Sequence, residues 1–314
     1  MSADRTLETS RPRVALIQTF WDPDPEVNLA RTLALLDSVQ DVELIILPEF
    51  FLGPPFYFPG RAHLKGVIDQ PVPGPVFDRL AEVARAKRCY LLCGTVVERE
   101  GEGDDTRYYN TAVLLDDQGR IAAKARKTHR FAAEMVTVSP SDELVLVDTP
   151  FGRLGICVCS DFWIPEVPRM LAMRGAEIIA VPGAALRGNI GITRPCIQAN
   201  SSFNVCYTLL ASAVGEVTGE RAGRQVSISV AGHSTVAAPE RLVGSLDEEE
   251  GVLYAELDLD RVRELREVDL SFRKSLYFCL HGRRPELYQE LLKPYAGHQD
   301  LAALITDYLT SNGS

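Results

Sequence analysis

The sequence predicts a layered α/β protein whose strands are joined both by hairpins and by helical crossovers. Three observations carry this prediction. Short, almost wholly apolar runs of strand length recur through the chain, segments with apolar residues at helical spacing stand between several of them, and tight turn signals join others directly. With 314 residues, of which 46% are hydrophobic and 24% charged, the chain can bury a sizeable core, and one large α/β unit is as consistent with those figures as two.

Taken in order, Val14 to Ile17 reads as a strand, Leu29, Leu33 and Leu36 as one face of a helix, and Leu44 to Leu47 as a second strand, a β-α-β opening. Further strands are expected at Tyr90 to Val97, Thr111 to Leu115, Ile121 to Ala125, Leu144 to Val147 and Leu154 to Val158. Others follow at Ile178 to Val181, Val205 to Ala211 and Val252 to Leu257. Helical spacing returns at Val76 to Ala86, Glu166 to Met173 and Arg261 to Arg266. Turn signals at Asp117 to Gly119 and Pro150 to Gly152 join strand pairs. No repeat of roughly 20 to 50 residues points to a solenoid, and no low-complexity linker divides the chain. The expected organisation is a flexible terminus over 1–12, one domain over 13–282, and a tail over 283–314 that packs on the surface or on another subunit and ends in disorder at Ser311 to Ser314.

Composition excludes several classes of function. A formal net charge of −10 with no basic run opposes binding to a nucleic acid or an anionic membrane. No apolar run approaches the roughly 18 residues of a membrane span, and Met1 to Arg13 holds no apolar leader segment, so a cytoplasmic location is expected. Seven cysteines, an odd number, are expected to be reduced thiols. Neither Cys89 with Cys93 nor Cys157 with Cys159 has zinc-ligand spacing, and the five histidines form no metal pattern.

Three segments end apolar strands with groups that can do chemistry. Leu44 to Glu49 closes on Pro48 and a carboxylate, and Phe50, Phe51, Phe56, Tyr57 and Phe58 follow. An acid among aromatics loses hydration, so its pKa rises and it can take a proton near neutrality; standing alone, the same residue would be an ordinary strand-end acid. Arg126, Lys127, Thr128 and His129 close the strand at Ile121, with Glu134 seven residues beyond the lysine. Such a run is usually a wet face, whereas one inward ammonium would stabilise an oxyanion and lower the pKa of a nearby thiol. Gly152 to Asp161 is an apolar strand that ends in Cys159 and leads toward a helix near Pro165 and Glu166, the layout of a nucleophile elbow in which the Ser160 N–H helps bind an oxyanion. Cys157, inside that strand, reads as a structural thiol. A pairing of cysteine with His129 or His233 ranks below these readings.

In combination these segments resemble the nitrilase superfamily of carbon-nitrogen hydrolases. The matching elements are Leu47 to Glu49, Arg126 to His129, and Gly155, Cys159, Asp161, Pro165 and Glu166. Likeness extends to Val14 to Gln18, Asn28, Gly74 and Pro75, Tyr109 to Val113, Gly175 and Ala176, Gly232 to Ser234, Asp258 to Asp260 and Arg284 to Tyr288, nearly the whole chain. The resemblance implies a four-layer α-β-β-α sandwich, commonly a homodimer extended by C-terminal tails. It also implies the roles: Glu49 takes the thiol proton, Cys159 attacks, Lys127 stabilises the oxyanion, and Glu134 positions Lys127. No metal or organic cofactor is implied.

Two departures bear on the substrate. Ser160 and Asp161 follow the cysteine where many nitrilases have Trp and Glu, closer to amide-cleaving and carbamoyl-cleaving branches. Phe162 and Trp163 stand where the branch acting on N-carbamoyl D-amino acids has paired arginines, which opposes an α-carboxylate held in that way and favours a neutral, aromatic or cationic amine portion. Arg187, Gly188 and Asn189 are candidate specificity residues, as is the segment Gly53 to Arg61. The expected reaction is hydrolysis of a small linear amide or N-carbamoyl (ureido) amine through a thioester. Nitrile hydrolysis, acyl transfer and a non-catalytic binding subunit are the alternatives.

Overall fold

The central strands are apolar at odd and even positions alike because each lies in a sheet covered on both faces. The computed structural model describes residues 8–54, 69–221 and 224–311. Its first half runs β1 (Arg13–Gln18), α1 (Pro25–Ser38), β2 (Leu44–Ile46), β3 (Asp69–Gln70), α2 (Pro75–Lys87), β4 (Tyr90–Glu100), β5 (Arg107–Leu115) and β6 (Ile121–Arg126). Then come α3 (Glu134–Thr137), β7 (Val145–Thr149), β8 (Gly152–Ile156), α4 (Glu166–Met173), β9 (Ile178–Gly183), α5 (Ile190–Asn204) and β10 (Tyr207–Ser212). The last part comprises β11 (Val214–Arg221), β12 (Arg224–Ala231), β13 (Thr235–Ala238), β14 (Arg241–Ser245), β15 (Gly251–Glu256), α6 (Leu259–Arg266), α7 (Phe278–His281) and α8 (Leu301–Ser311).

Among the described residues one sheet has the order β15-β1-β2-β4-β5-β6, with β3 beside β4, and the other β14-β13-β10-β9-β8-β7. Both are parallel at the centre, β1 with β2 and β4, and β8 with β9 and β10, and antiparallel toward the edges. Period-2 geometry divides the side chains. Val14, Leu16, Leu44 and Ile46 meet Leu154, Ile156, Ile178 and Leu209 between the sheets. Ala15, Ile17, Ile45 and Leu91 pack under α1 and α2, which contribute Leu29, Leu36, Phe77 and Leu80. Cys157, Ile179, Val181 and Leu210 pack under α4 and α5 through Val167, Leu171 and Ile197. The result is the expected α-β-β-α sandwich.

Several elements differ from expectation. Helix α5 is absent from the periodicity reading because Pro195 lies inside it and polar residues break its apolar stripe. The hairpin of β11 and β12 and the edge strands β13 and β14 carry too few consecutive apolar residues to stand out. Ser10 and Pro12 fall in the terminus expected to be flexible, yet their carbonyls accept the N–H groups of Leu259 and Leu257, each at 2.9 Å. Residues 1–7, 55–68 and 312–314, which include Phe56, Tyr57, Phe58, Arg61 and the last residues of the tail, lie outside the described residues. Among the described residues no helix is long and apolar enough to cross a membrane.

Candidate active site

Glu49 follows β2 on a loop that bridges the two sheets: its N–H donates to the Gly183 carbonyl at the end of β9, at 3.1 Å. The loop is pressed against a bulge in β4. Gly94 adopts φ +57° there, and a Cβ at that position would stand 2.0 Å from the Pro48 carbonyl oxygen. Thr95 accepts the Phe50 N–H on its hydroxyl at 3.0 Å, and its own N–H reaches Pro48 O at 3.3 Å. Lys127 continues the alternation of β6, in which Lys124 and Arg126 point outward to Glu98 while Ala125 and Lys127 point between the sheets. Strand period therefore separates the one inward ammonium from the wet face around it.

Cys159 lies just past β8 at φ +43°, opening a short 3-10 turn over Cys159–Trp163. The positive φ turns its side chain back between the sheets, whereas Cys157, two residues earlier, is buried against the helical layer of α4 and α5. Asp161 ties this turn to the lysine loop. Its carboxylate accepts the N–H groups of His129 (2.7 Å), Thr128 (3.3 Å) and Val158 (3.3 Å) and the Thr128 hydroxyl (2.9 Å). The Ser160 hydroxyl donates to the His129 carbonyl at 3.0 Å.

These loops bring four polar groups together in a buried cluster, with Glu49 3%, Glu134 3% and Lys127 2% exposed. Lys127 Nζ lies 3.0 Å from Glu49 Oε1 and 2.8 Å from Glu134 Oε2. Asn110 of β5 donates from Nδ2 to Glu49 Oε1 at 2.8 Å and to Glu134 Oε1 at 2.7 Å. Glu134 Oε2 also accepts the Phe131 N–H at 2.8 Å. The Cys159 thiol lies within interaction range of the Glu49 carboxylate, the Lys127 ammonium and the Ala184 backbone.

The electrostatics follow from burial. Desolvation pushes the Glu49 carboxyl above its ordinary range and Glu134 adds to this, while Lys127 pulls the other way. Burial pulls the Lys127 ammonium down, but Glu134 and Glu49 outweigh it and leave the group well above its usual value, firmly charged. The Cys159 thiol is pushed well up by burial and then by Glu49, a push that Lys127 does not offset. The ammonium does lower the thiol pKa, as expected, but burial and the Glu49 carboxylate together outweigh it, so the net shift is upward and the sulfur keeps its proton until a base removes it.

The cluster forms the floor of a cavity of about 470 Å³. Its walls include Trp21, Phe50, Phe131, Phe162, Trp163 and Tyr308, with Ser160, Asn189 and Thr193 among the polar lining. Phe162 and Trp163 pack together, ring centroids 4.6 Å apart. Arg187 is the exception among the candidates. Its guanidinium is turned to Glu248 at 2.7 and 2.8 Å and to Ser229 at 3.0 Å, because an acidic loop 61 residues away satisfies it better than an aromatic wall would. Neither His129 nor His233 lines the cavity, which removes the cysteine-histidine reading. Among the described residues no group of three or more His, Cys, Asp and Glu could hold a metal ion.

Sequence reasoning missed Asn110, Trp21, Phe131 and Tyr308. An asparagine inside an apolar strand was a signal for the first, since a buried amide needs partners. Nothing local marked the others.

An α-β-β-α sandwich that presents a thiol, a carboxylate and an ammonium at its strand ends holds the groups that a thiol-dependent hydrolase would use. The chain belongs to the carbon-nitrogen hydrolase family, whose model matches residues 13–267, and several of its relatives in the nitrilase superfamily are named as amidases. It is 28% identical over 298 residues to the omega-amidase NIT2 of Homo sapiens, a match covering 90% of this chain and 99% of the relative. It is 29% identical over 276 residues to an (R)-stereoselective amidase of Pseudomonas sp., covering 87% of this chain and 94% of that one. The crystal structure of Saccharomyces cerevisiae Nit3, a member of branch 10 of the superfamily, superposes with a TM-score of 0.70 at 26% identity, covering 86% of this chain and 99% of that chain.

Proposed function

We propose that the protein hydrolyses small linear amides with an uncharged, largely apolar body, using Cys159 as nucleophile. The observation that carries this is the Cys159 thiol grouped with the paired Glu49 and Lys127 on the floor of an aromatic-walled cavity. Amidase activity in the names of the human and Pseudomonas relatives supports the reaction type.

Hydrogen bonding divides the labour between the two acids. Glu134 accepts on both oxygens, from Asn110 on one and from Lys127 and Phe131 on the other, so it serves to hold Lys127. The donors from Asn110 and Lys127 to Glu49 both fall on Oε1, so its carboxylate keeps an oxygen for proton transfer. Glu49 removes the thiol proton as sulfur bonds to the amide carbon. The carbonyl oxygen becomes an oxyanion facing the third proton of the Lys127 ammonium and the Ser160 N–H. Collapse expels the amine with the proton held on Glu49 and leaves a thioester. Glu49 then deprotonates a water that attacks the thioester carbon, and the carboxylic acid leaves as the thiol is re-formed.

The walls argue for the substrate class. Among the described lining residues the one cation is Lys127, already shared by two carboxylates, and Arg187 is held elsewhere. A substrate carboxylate buried there would lack a partner, at a cost of several kcal/mol. Phe162, Trp163, Asn189 and Ser160 line the space in which the substrate body is held. We further infer a homodimer, on the exposed Leu270, Phe272, Phe278, Leu287, Leu292 and Tyr295 near the C-terminus.

The test is release of ammonia or amine from a panel of apolar amides, carboxylate-bearing amides, ureido compounds and nitriles, with intact-mass detection of an acyl adduct. Apolar amides are expected to turn over fastest and to leave an adduct that Cys159→Ala abolishes. Cys157→Ala is expected to keep most activity. No release from any amide, or exchange of the two cysteine phenotypes, would overturn the reading.

A further inference from the structure

Asn110 sits in β5, wholly buried, at the point where the carboxylates of Glu49 and Glu134 come closest to its amide. Its one amino group supplies a hydrogen to each acid. Its backbone carbonyl accepts the Lys127 N–H at 2.8 Å, so it also fixes the start of the lysine loop. Glu49, Lys127, Glu134 and Asn110 thus close a ring in which each acid is bonded by both the ammonium and the amide.

The orientation of that amide is set by its neighbours. If it were flipped, Oδ1 would face two carboxylates and repel both, so Nδ2 has to point at them. The consequence is that Oδ1 is buried with no hydrogen-bond partner among the described residues. A buried acceptor is rarely left orphaned, and here the fold accepts one in order to aim the two donors. The charges explain the arrangement. Two carboxylates and one ammonium leave a net negative charge in a dry site, and a neutral donor is what offsets it without neutralising Lys127. Aspartate at this position would add a third acid, and leucine, of similar size, would offer no donor.

We propose that Asn110 is a positioning residue for the base: it holds Glu49 Oε1 in place and keeps the other carboxylate oxygen turned to the Cys159 thiol. This rests on the reading that Glu49 is the base. The titratable groups on its side of the sheet are Glu49, Glu134, Lys127, Cys159 and Tyr108. Glu98, Lys124 and Arg126 form their own ion-pair group on the opposite face.

The test compares Asn110→Leu and Asn110→Asp with the parent full-length protein. Three quantities are read: the pH profile of kcat/KM on an amide the parent cleaves, the rate of Cys159 alkylation by iodoacetamide against pH, and the thermal unfolding midpoint. Loss of the donor destabilises the ionised form of Glu49. Asn110→Leu is therefore expected to move the acidic limb of both profiles up by about one pH unit and to lower kcat about 100-fold, with KM within about threefold. Asn110→Asp nearly conserves shape and is expected to be impaired at least as much, with the same direction of shift. It serves as the second variant if the leucine protein does not fold. A folded variant whose limbs and kcat stay within twofold of the parent would show that Asn110 only fills space. Alkylation needs no substrate, so if the parent cleaves no amide the proposed function fails while the alkylation profile still decides the role of Asn110.

Discussion

In the proposed reaction Glu49 accepts the Cys159 proton, and burial sets how strongly it can do so. Desolvation lifts the Glu49 carboxyl above the ordinary value of about 4.3 for a glutamate, and Glu134 lifts it further against the pull of Lys127. Below that raised pKa Glu49 already carries a proton and cannot take another from sulfur. Activity is therefore expected to fall as pH drops through a value above the normal carboxylate range, read as the acidic limb of kcat/KM. A limb at or below pH 4 would contradict this assignment of the base. The same balance explains why a buried thiol beside an ammonium is held protonated: desolvation raises it most, and its nearest acid then counts for more than the cation.

At the scale of elements, the site depends on where strands stop. Pro48 ends β2, a positive φ at Cys159 ends β8, and Asp161 joins the turn after β8 to the loop after β6. Gly94 is the tightest of these contacts, since both its φ of +57° and the Pro48 carbonyl 2.0 Å from a would-be Cβ forbid a side chain. Gly94→Ala is expected to destabilise the protein by about 2 kcal/mol or more and to lower kcat by displacing Glu49. Thermal unfolding and steady-state kinetics check this, and an alanine variant with parent stability would show that the loop yields without cost.

Across the whole molecule, the four layers set the catalytic loops at one end of both sheets, and α8 returns from the C-terminus to pack on α3, which carries Glu134. Tyr308 of α8 thereby lines the cavity. Deleting residues 283–314 is expected to leave both sheets folded, to lower kcat/KM about tenfold, and to convert the proposed dimer to a monomer. Light scattering and kinetics on the shortened chain read both effects. Unchanged mass together with unchanged kinetics would remove the C-terminal segment from the account.

Local pattern in the sequence determined the central strands of both sheets and helices α1, α2, α4 and α6, because strand and helix periods are encoded by adjacent residues, and the resemblance of three strand-end segments to a known family pointed to Glu49, Lys127 and Cys159. Helix α5, with Pro195 inside it, and the weakly apolar β11 to β14 had no such pattern. Which way a charge or an amide faces, and what answers it, was decided by the tertiary structure alone. Arg187 was drawn to Glu248, Asn110 to two acids 61 and 24 residues away, and Tyr308 to a cavity formed by distant loops. Electrostatic partners and pocket walls are chosen by proximity in space, and only the packed layers bring those residues within reach.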